Sequence, residues 1–176
     1  MLSFDISSLQ SAAAAVDGEL APDDAVWQEG DPRPATPVHV VGRLSTAGPG
    51  RYYFSGRFEG TVNSECRRCL AESSEQVAAD SHLIFAEAGL DEADDESDVF
   101  VLDRGARSLD LRPGIREEWL LAAPAFLLCR EDCKGLCPRC GADLNEGPCS
   151  CPQTSDSRWD ALKNARPDGA PSDRSL

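Results

Sequence analysis

Six of the eight cysteines lie between Cys129 and Cys151, at successive intervals of four, four, three, nine and two residues, and the other two form an upstream pair, Cys66-Arg-Arg-Cys69. No other feature constrains the fold as tightly. A C-x-x-C turn folds its amides back over a thiolate and aims both sulfurs at one point, about 2.3 Å from a tetrahedral zinc. Cys137-Pro-Arg-Cys140-Gly has this form, with Pro138 pre-setting the turn and Gly141 free to take a positive φ at its exit. The stretch is short, polar and poor in apolar side chains, so an apolar core cannot order it. A metal can.

The most economical partition gives Cys137, Cys140, Cys149 and Cys151 to one zinc and leaves Cys66, Cys69, Cys129 and Cys133 to meet at a second. Spacing alone leaves the pairing open, and a single occupied site also fits. Two other thiol chemistries compete. A thiol-disulfide oxidoreductase would want a reactive C-x-x-C at a helix N-terminus inside a βαβ pattern, which neither pair has. Iron and sulfur clusters also take four thiolates, but tight C-x-x-C-G turns suit zinc better. Catalytic zinc is disfavoured because four thiolates close the shell. No catalytic residue is assigned.

The chain of 176 residues carries 17 Lys and Arg against 31 Asp and Glu, a net charge of −14. Such a surface repels phosphate backbones and attracts basic proteins. No apolar h-region opens the sequence, and no run approaches a membrane span, so a cytosolic protein is expected, where paired cysteines are usually metal ligands. Arg67, Arg68, Lys134 and Arg139 stand beside the thiols and are the candidate RNA contacts. Their simpler role is to offset the charge of about −2 that a four-thiolate zinc retains.

Taken in order, the chain reads as an α+β domain: an antiparallel sheet or meander, one main packing helix and a cysteine-rich zinc lobe. Residues 1–37 are expected to hold one strand, Leu2 to Ile6, and an irregular, proline-rich connection. From 38 to 128 the period-two signal is clear, with Val38, Val40 and Leu44 on one face, then Tyr52, Phe54, Phe58 and Val62. The second of these strands runs into Cys66, which places the upstream pair at a ribbon tip, and Val77 to Phe85 returns. An acidic loop follows at 87–98, then a buried strand, Val99 to Leu102. A helix capped by Asp110 presents Ile115, Trp119, Leu120 and Ala123 and ends at Pro124. The zinc lobe with a short terminal helix spans 129–164, and 165–176 is expected to be a disordered tail. His39 and His82 are given no role.

Cys66-Arg-Arg-Cys-Leu70, Leu109-Asp-Leu-Arg-Pro113 and above all Leu128 to Cys151 resemble the bacterial YceD family, the large ribosomal RNA subunit accumulation proteins, and Trp159 to Lys163 resembles the helix that closes its members. The resemblance covers most of residues 38–164. It implies a non-enzymatic factor that supports 23S rRNA accumulation and large-subunit assembly. Some relatives keep the upstream C-x-x-C and lack the later cluster. Combined with the charge, this points to an adaptor that binds a basic ribosomal or assembly protein, with rRNA contact indirect and with no membrane or small-molecule substrate. A zinc-ribbon RNA-binding module is the competing expectation.

Overall fold

The structure is a computed structural model that describes residues 1–89, 99–152 and 158. Most of the expected acidic loop, the terminal helix and the tail lie outside the described residues. The chain divides into two compact units, Met1–Gly135 and Leu136–Leu176. No helix among the described residues is long and apolar enough to cross a membrane.

The first unit is built on a five-stranded sheet of β2 (Ala14–Leu20), β3 (Val38–Gly48), β4 (Arg51–Glu65), β5 (Glu72–Glu87) and β6 (Val99–Leu102), in that spatial order. Alternation along β3 and β4 buries Val38, Val40, Leu44, Tyr52, Phe54, Phe58 and Val62 on one face. Each fully buried side chain of this size contributes roughly 1.5–3 kcal/mol. Gly42 faces Gly56 across the β3–β4 ladder, and a Cβ on Gly56 would fall 2.3 Å from the Val41 carbonyl oxygen. Only glycine lets the strands approach so closely.

Beside the sheet, β1 (Ser3–Asp5) pairs with β7 (Ser108–Asp110), and a one-turn helix α1 (Ile6–Leu9) follows β1. The main helix, α2 (Arg112–Ala122), lays Ile115 and Trp119 on the sheet; the Trp119 ring lies 6.3 Å from that of Phe58, and a Cβ on Gly60 would sit 3.0 Å from it.

Three expectations need correction. Residues 14–20, expected in an irregular connection, form β2, because Val16, Gly18 and Leu20 alternate inward with Asp17 and Glu19 outward. The rest of that connection is held by side chains of α2. Arg116 makes two hydrogen bonds to Asp31, at 2.7 and 2.8 Å, Trp119 Nε1 donates to the Pro32 carbonyl at 2.7 Å, and Trp27 stacks edge-on against Trp119. Strand β6 is parallel to β5, making the sheet mixed, and it is an edge strand with Val101 exposed rather than a buried one. Finally, Leu111 occupies the N-cap position of α2; Asp110, one residue earlier, accepts from the Arg112 amide at 3.0 Å.

Candidate metal centres

The first cluster forms where the sheet brings remote segments together. The β4–β5 hairpin ends in the turn Cys66 to Ala71, closed by Leu70 N donating to the Cys66 carbonyl and Cys66 N to the Ala71 carbonyl, both at 2.8 Å. Leu70 takes φ 62° to complete it. The segment after α2 then runs alongside: Cys66 bridges Leu127 in parallel, and the Arg67 amide donates to the Leu127 carbonyl at 2.9 Å. This pairing delivers Cys129 and Cys133 to the ribbon tip. Cys66 Sγ lies 3.8 Å from Cys133 Sγ, and Cys69 Sγ 3.6 Å from Cys129 Sγ. All four sulfurs lie within 4.8 Å of one another.

The second cluster is local. Gly141 N donates to the Cys137 carbonyl at 2.9 Å and Cys137 N to the Ala142 carbonyl at 2.8 Å, the bonds of the first turn repeated, with Gly141 at φ 73° in the place of Leu70. Cys149 and Cys151 return to this turn, with Cys149 Sγ 3.4 Å from Cys137 Sγ and the four sulfurs again within 4.8 Å. All eight cysteines are thiols rather than disulfides.

These geometries suit a closed shell around one cation, since metal–sulfur bonds of 2.3 Å in a tetrahedron put the sulfurs about 3.8 Å apart. The electrostatics agree. Amides of Cys129, Arg68 and Cys69 point at the Cys66 sulfur and lower its pKa to about 6, while the neighbouring sulfurs of Cys133 and Cys69 push Cys129 up to about 12. In the second cluster the Cys140 and Arg139 amides lower Cys137 to about 6, and the Cys140 sulfur pushes Cys151 up to about 12. Each turn thus prepares one thiolate and resists further ones, Cys69 and Cys149 being pushed up as well. A cation removes that resistance, so each tetrad could hold a metal ion.

The description "Large ribosomal RNA subunit accumulation protein YceD" matches residues 54–165, a span that includes all eight cysteines. The chain belongs to the YceD family. Among its relatives, uncharacterized proteins of Mycobacterium tuberculosis and Mycobacterium bovis are each 35% identical over 101 residues, 56% of this chain and 47% of theirs. A Zea mays protein, "Large ribosomal RNA subunit accumulation protein YCED homolog 1, chloroplastic", is 27% identical over 175 residues, covering 84% of this chain and 59% of that one. The chain therefore spans about half to three-fifths of the length of these relatives. No solved structure matches it.

The cations of this YceD-family chain have distinct surroundings. Arg68 Nη1 donates to the Cys133 carbonyl at 2.8 Å, binding the ribbon tip to the ligand loop, and Gly135 at φ 74° packs so closely that a Cβ would meet the Arg68 carbonyl oxygen at 2.8 Å. Arg67 lies 4.9 Å above the centre of the exposed Phe126 ring. Lys134 is exposed in the first unit and Arg139 in the second. The histidines belong to neither tetrad: His39 Nε2 lies 2.8 Å from Asp17, and His82 Nδ1 2.8 Å from the Tyr53 hydroxyl. Phe126 and Leu127 lie in the apolar run Ala125 to Leu128, which reads in the sequence as the tie between Cys129 and the core; the backbone pairing of Leu127 and the close packing of Gly135 had no sequence signal.

Proposed function

We propose that this protein is a non-enzymatic, cytoplasmic zinc-binding factor that supports 23S rRNA accumulation and large ribosomal subunit assembly by holding a basic ribosomal or assembly protein. The family match over residues 54–165 carries the assembly role. Zinc is the metal of choice because all eight donors are thiolates in two closed sets, and because structural zinc supplies roughly 10–16 kcal/mol of binding energy, enough to order a polar lobe. The ions serve as clamps and no step of chemistry passes through them. Cys66, Cys69, Cys129 and Cys133 would hold one, and Cys137, Cys140, Cys149 and Cys151 the other.

Net charge of −14 supports a basic protein as the partner and disfavours RNA as the main contact. Depletion of the protein is expected to lower the ratio of 23S to 16S rRNA; an unchanged ratio contradicts the assembly role. Purified protein is expected to bind salt-extracted large-subunit proteins more tightly than deproteinised rRNA, and equal binding contradicts the adaptor mechanism.

One observation favours a second reading, direct RNA contact: the Arg67 guanidinium over an exposed Phe126 is a surface on which an unpaired base can stack. Arg67→Glu tests it, since Arg67 can be reversed without cutting the Arg68 tie to the ligand loop.

A further inference from the structure

Strand β5 pairs with β4 along its whole length, from Glu72 opposite Glu65 to Ala86 opposite Arg51, but β6 pairs with it only at Ile84–Glu87. Residues 72–83 therefore present an open edge, about 40 Å long at strand rise, with no backbone partner on that side among the described residues. The protein closes another such edge: where β4 outruns β3, the Ala35 amide donates to the Thr61 carbonyl at 2.6 Å and Pro34 bridges Val62.

Acidic side chains are the only usual protection this edge carries: residues 72–83 contain no Lys, Arg or Pro, and the β4–β5 register runs without a bulge. Its charges are Glu72, Glu75 and Asp80, joined across the ladder by Glu65 and Glu59 and opposed by Arg57. Ser81, fully buried on this stretch, has a hydroxyl with no hydrogen-bond partner among the described residues.

Where β6 begins, the edge opens into a cleft of about 470 Å³ between the strand and α2, walled by His82, Leu83, Val99, Glu117, Glu118 and the exposed Leu121. Among the described residues neither glutamate is in an ion pair, and burial raises the Glu118 pKa. His82 on the same wall acts on Glu118 and Arg116 on Glu117, but neither closes an ion pair, and two carboxylates above apolar walls suit the charged head and aliphatic stem of Lys or Arg.

We infer that the outer edge of β5 receives an extended, basic segment of a partner protein, which pairs its backbone with residues 72–83 and places a Lys or Arg side chain between Glu117 and Glu118. Main-chain pairing gives the affinity and the acidic cleft the selectivity, as in other strand-addition complexes. RNA offers no amide ladder to such an edge, and the surrounding carboxylates repel it. The inference rests on the basic-protein reading above and names where that protein sits.

Backbone amide exchange of the full chain, alone and with the salt-extracted proteins of the large ribosomal subunit, tests it. Alternate amides within 73–83 are expected to slow at least tenfold, and the double variant Glu117→Gln, Glu118→Gln to weaken binding roughly tenfold, the loss expected for a charge pair only partly desolvated. Asp80→Lys, an exposed change on the same strand, is expected to weaken binding and leave folding intact. Binding without slowed exchange at the edge overturns this inference and leaves the adaptor reading standing. If nothing in the extract binds, both fall, and slowing of the same amides by deproteinised rRNA assigns the edge to another partner.

Discussion

The two cysteine turns, Cys66 to Ala71 and Cys137 to Ala142, close with the same pair of backbone hydrogen bonds, yet they stand in opposite kinds of structure. In the first tetrad Cys66, Cys69 and Cys133 are buried, and the ligands come from a hairpin tip and from a segment some sixty residues later that the sheet and α2 have already positioned. In the second only Cys137 is buried, all four ligands fall within fifteen residues, and no described residue beyond Leu127 joins the apolar core. An ion in the first tetrad would join parts that the sheet and α2 already place. In the second it would order the loop, since a polar loop this short has few apolar side chains of its own to order it.

The largest effect that could break this contrast is chelation. Removing metal is expected to abolish amide protection between residues 137 and 151 while β3, β4 and β5 keep theirs; simultaneous loss of both would show the sheet to be as dependent on metal as the loop. Next, Cys133→Ser leaves a buried tetrad one ligand short and is expected to destabilise the first unit by several kcal/mol, whereas Cys149→Ser leaves its denaturant midpoint unchanged. Arg116→Ala separates the sheet's own stability from that of the metal. Cutting two hydrogen bonds to a nearly buried Asp31 is expected to cost about 2 kcal/mol, read by urea denaturation, with metal content unchanged.

Smaller again is the difference between Leu70 and Gly141. Both sit at positive φ, a conformation that costs a residue with a Cβ roughly 1–2 kcal/mol. Leu70→Gly is expected to stabilise the first unit by about 1 kcal/mol and Gly141→Ala to weaken the second tetrad's metal affinity by a similar amount; among the described residues no atom crowds the Gly141 Cβ position, so backbone strain is the effect expected. The smallest is a pH effect. Hydrogen bonding to Arg116 lowers the Asp31 pKa below its ordinary 3.8, so the stability this gives is present above that value and is lost as pH falls through the folded one. The penalty of Arg116→Ala is therefore expected to hold down to about pH 4 and to shrink by a fraction of the pair's worth as pH falls below 3.8 toward the folded value, read by urea denaturation across that range.

The sequence carried the strands that alternate cleanly and the sulfur grouping that spacing makes economical. The period of two from Val38 to Val62 and the run of that strand into Cys66 were enough to place a C-x-x-C at a ribbon tip. Less legible were features decided by tertiary contacts. Ala12 to Ala15 gives no face of its own, so β2 emerges only through its pairing with β3. The prolines between 22 and 37 read as irregular because the side chains that hold the segment, Arg116 and Trp119, lie some 85 residues later. Val99 to Leu102 is apolar enough for a buried strand and lies at an edge, because burial of a four-residue run depends on what the chain lays over it. Leu70 is hidden for a different reason: leucine rarely adopts positive φ, and only its place one residue after a C-x-x-C hints at the turn.

The central claim, that eight thiols are held as two closed metal shells, is tested most directly by metal analysis of anaerobically purified protein together with thiol titration before and after denaturation in chelator. The account predicts two ions per chain, thiols unreactive in the native protein, and all eight reactive once it is unfolded and stripped. A folded protein without metal, its thiols freely reactive or joined as disulfides, would contradict it.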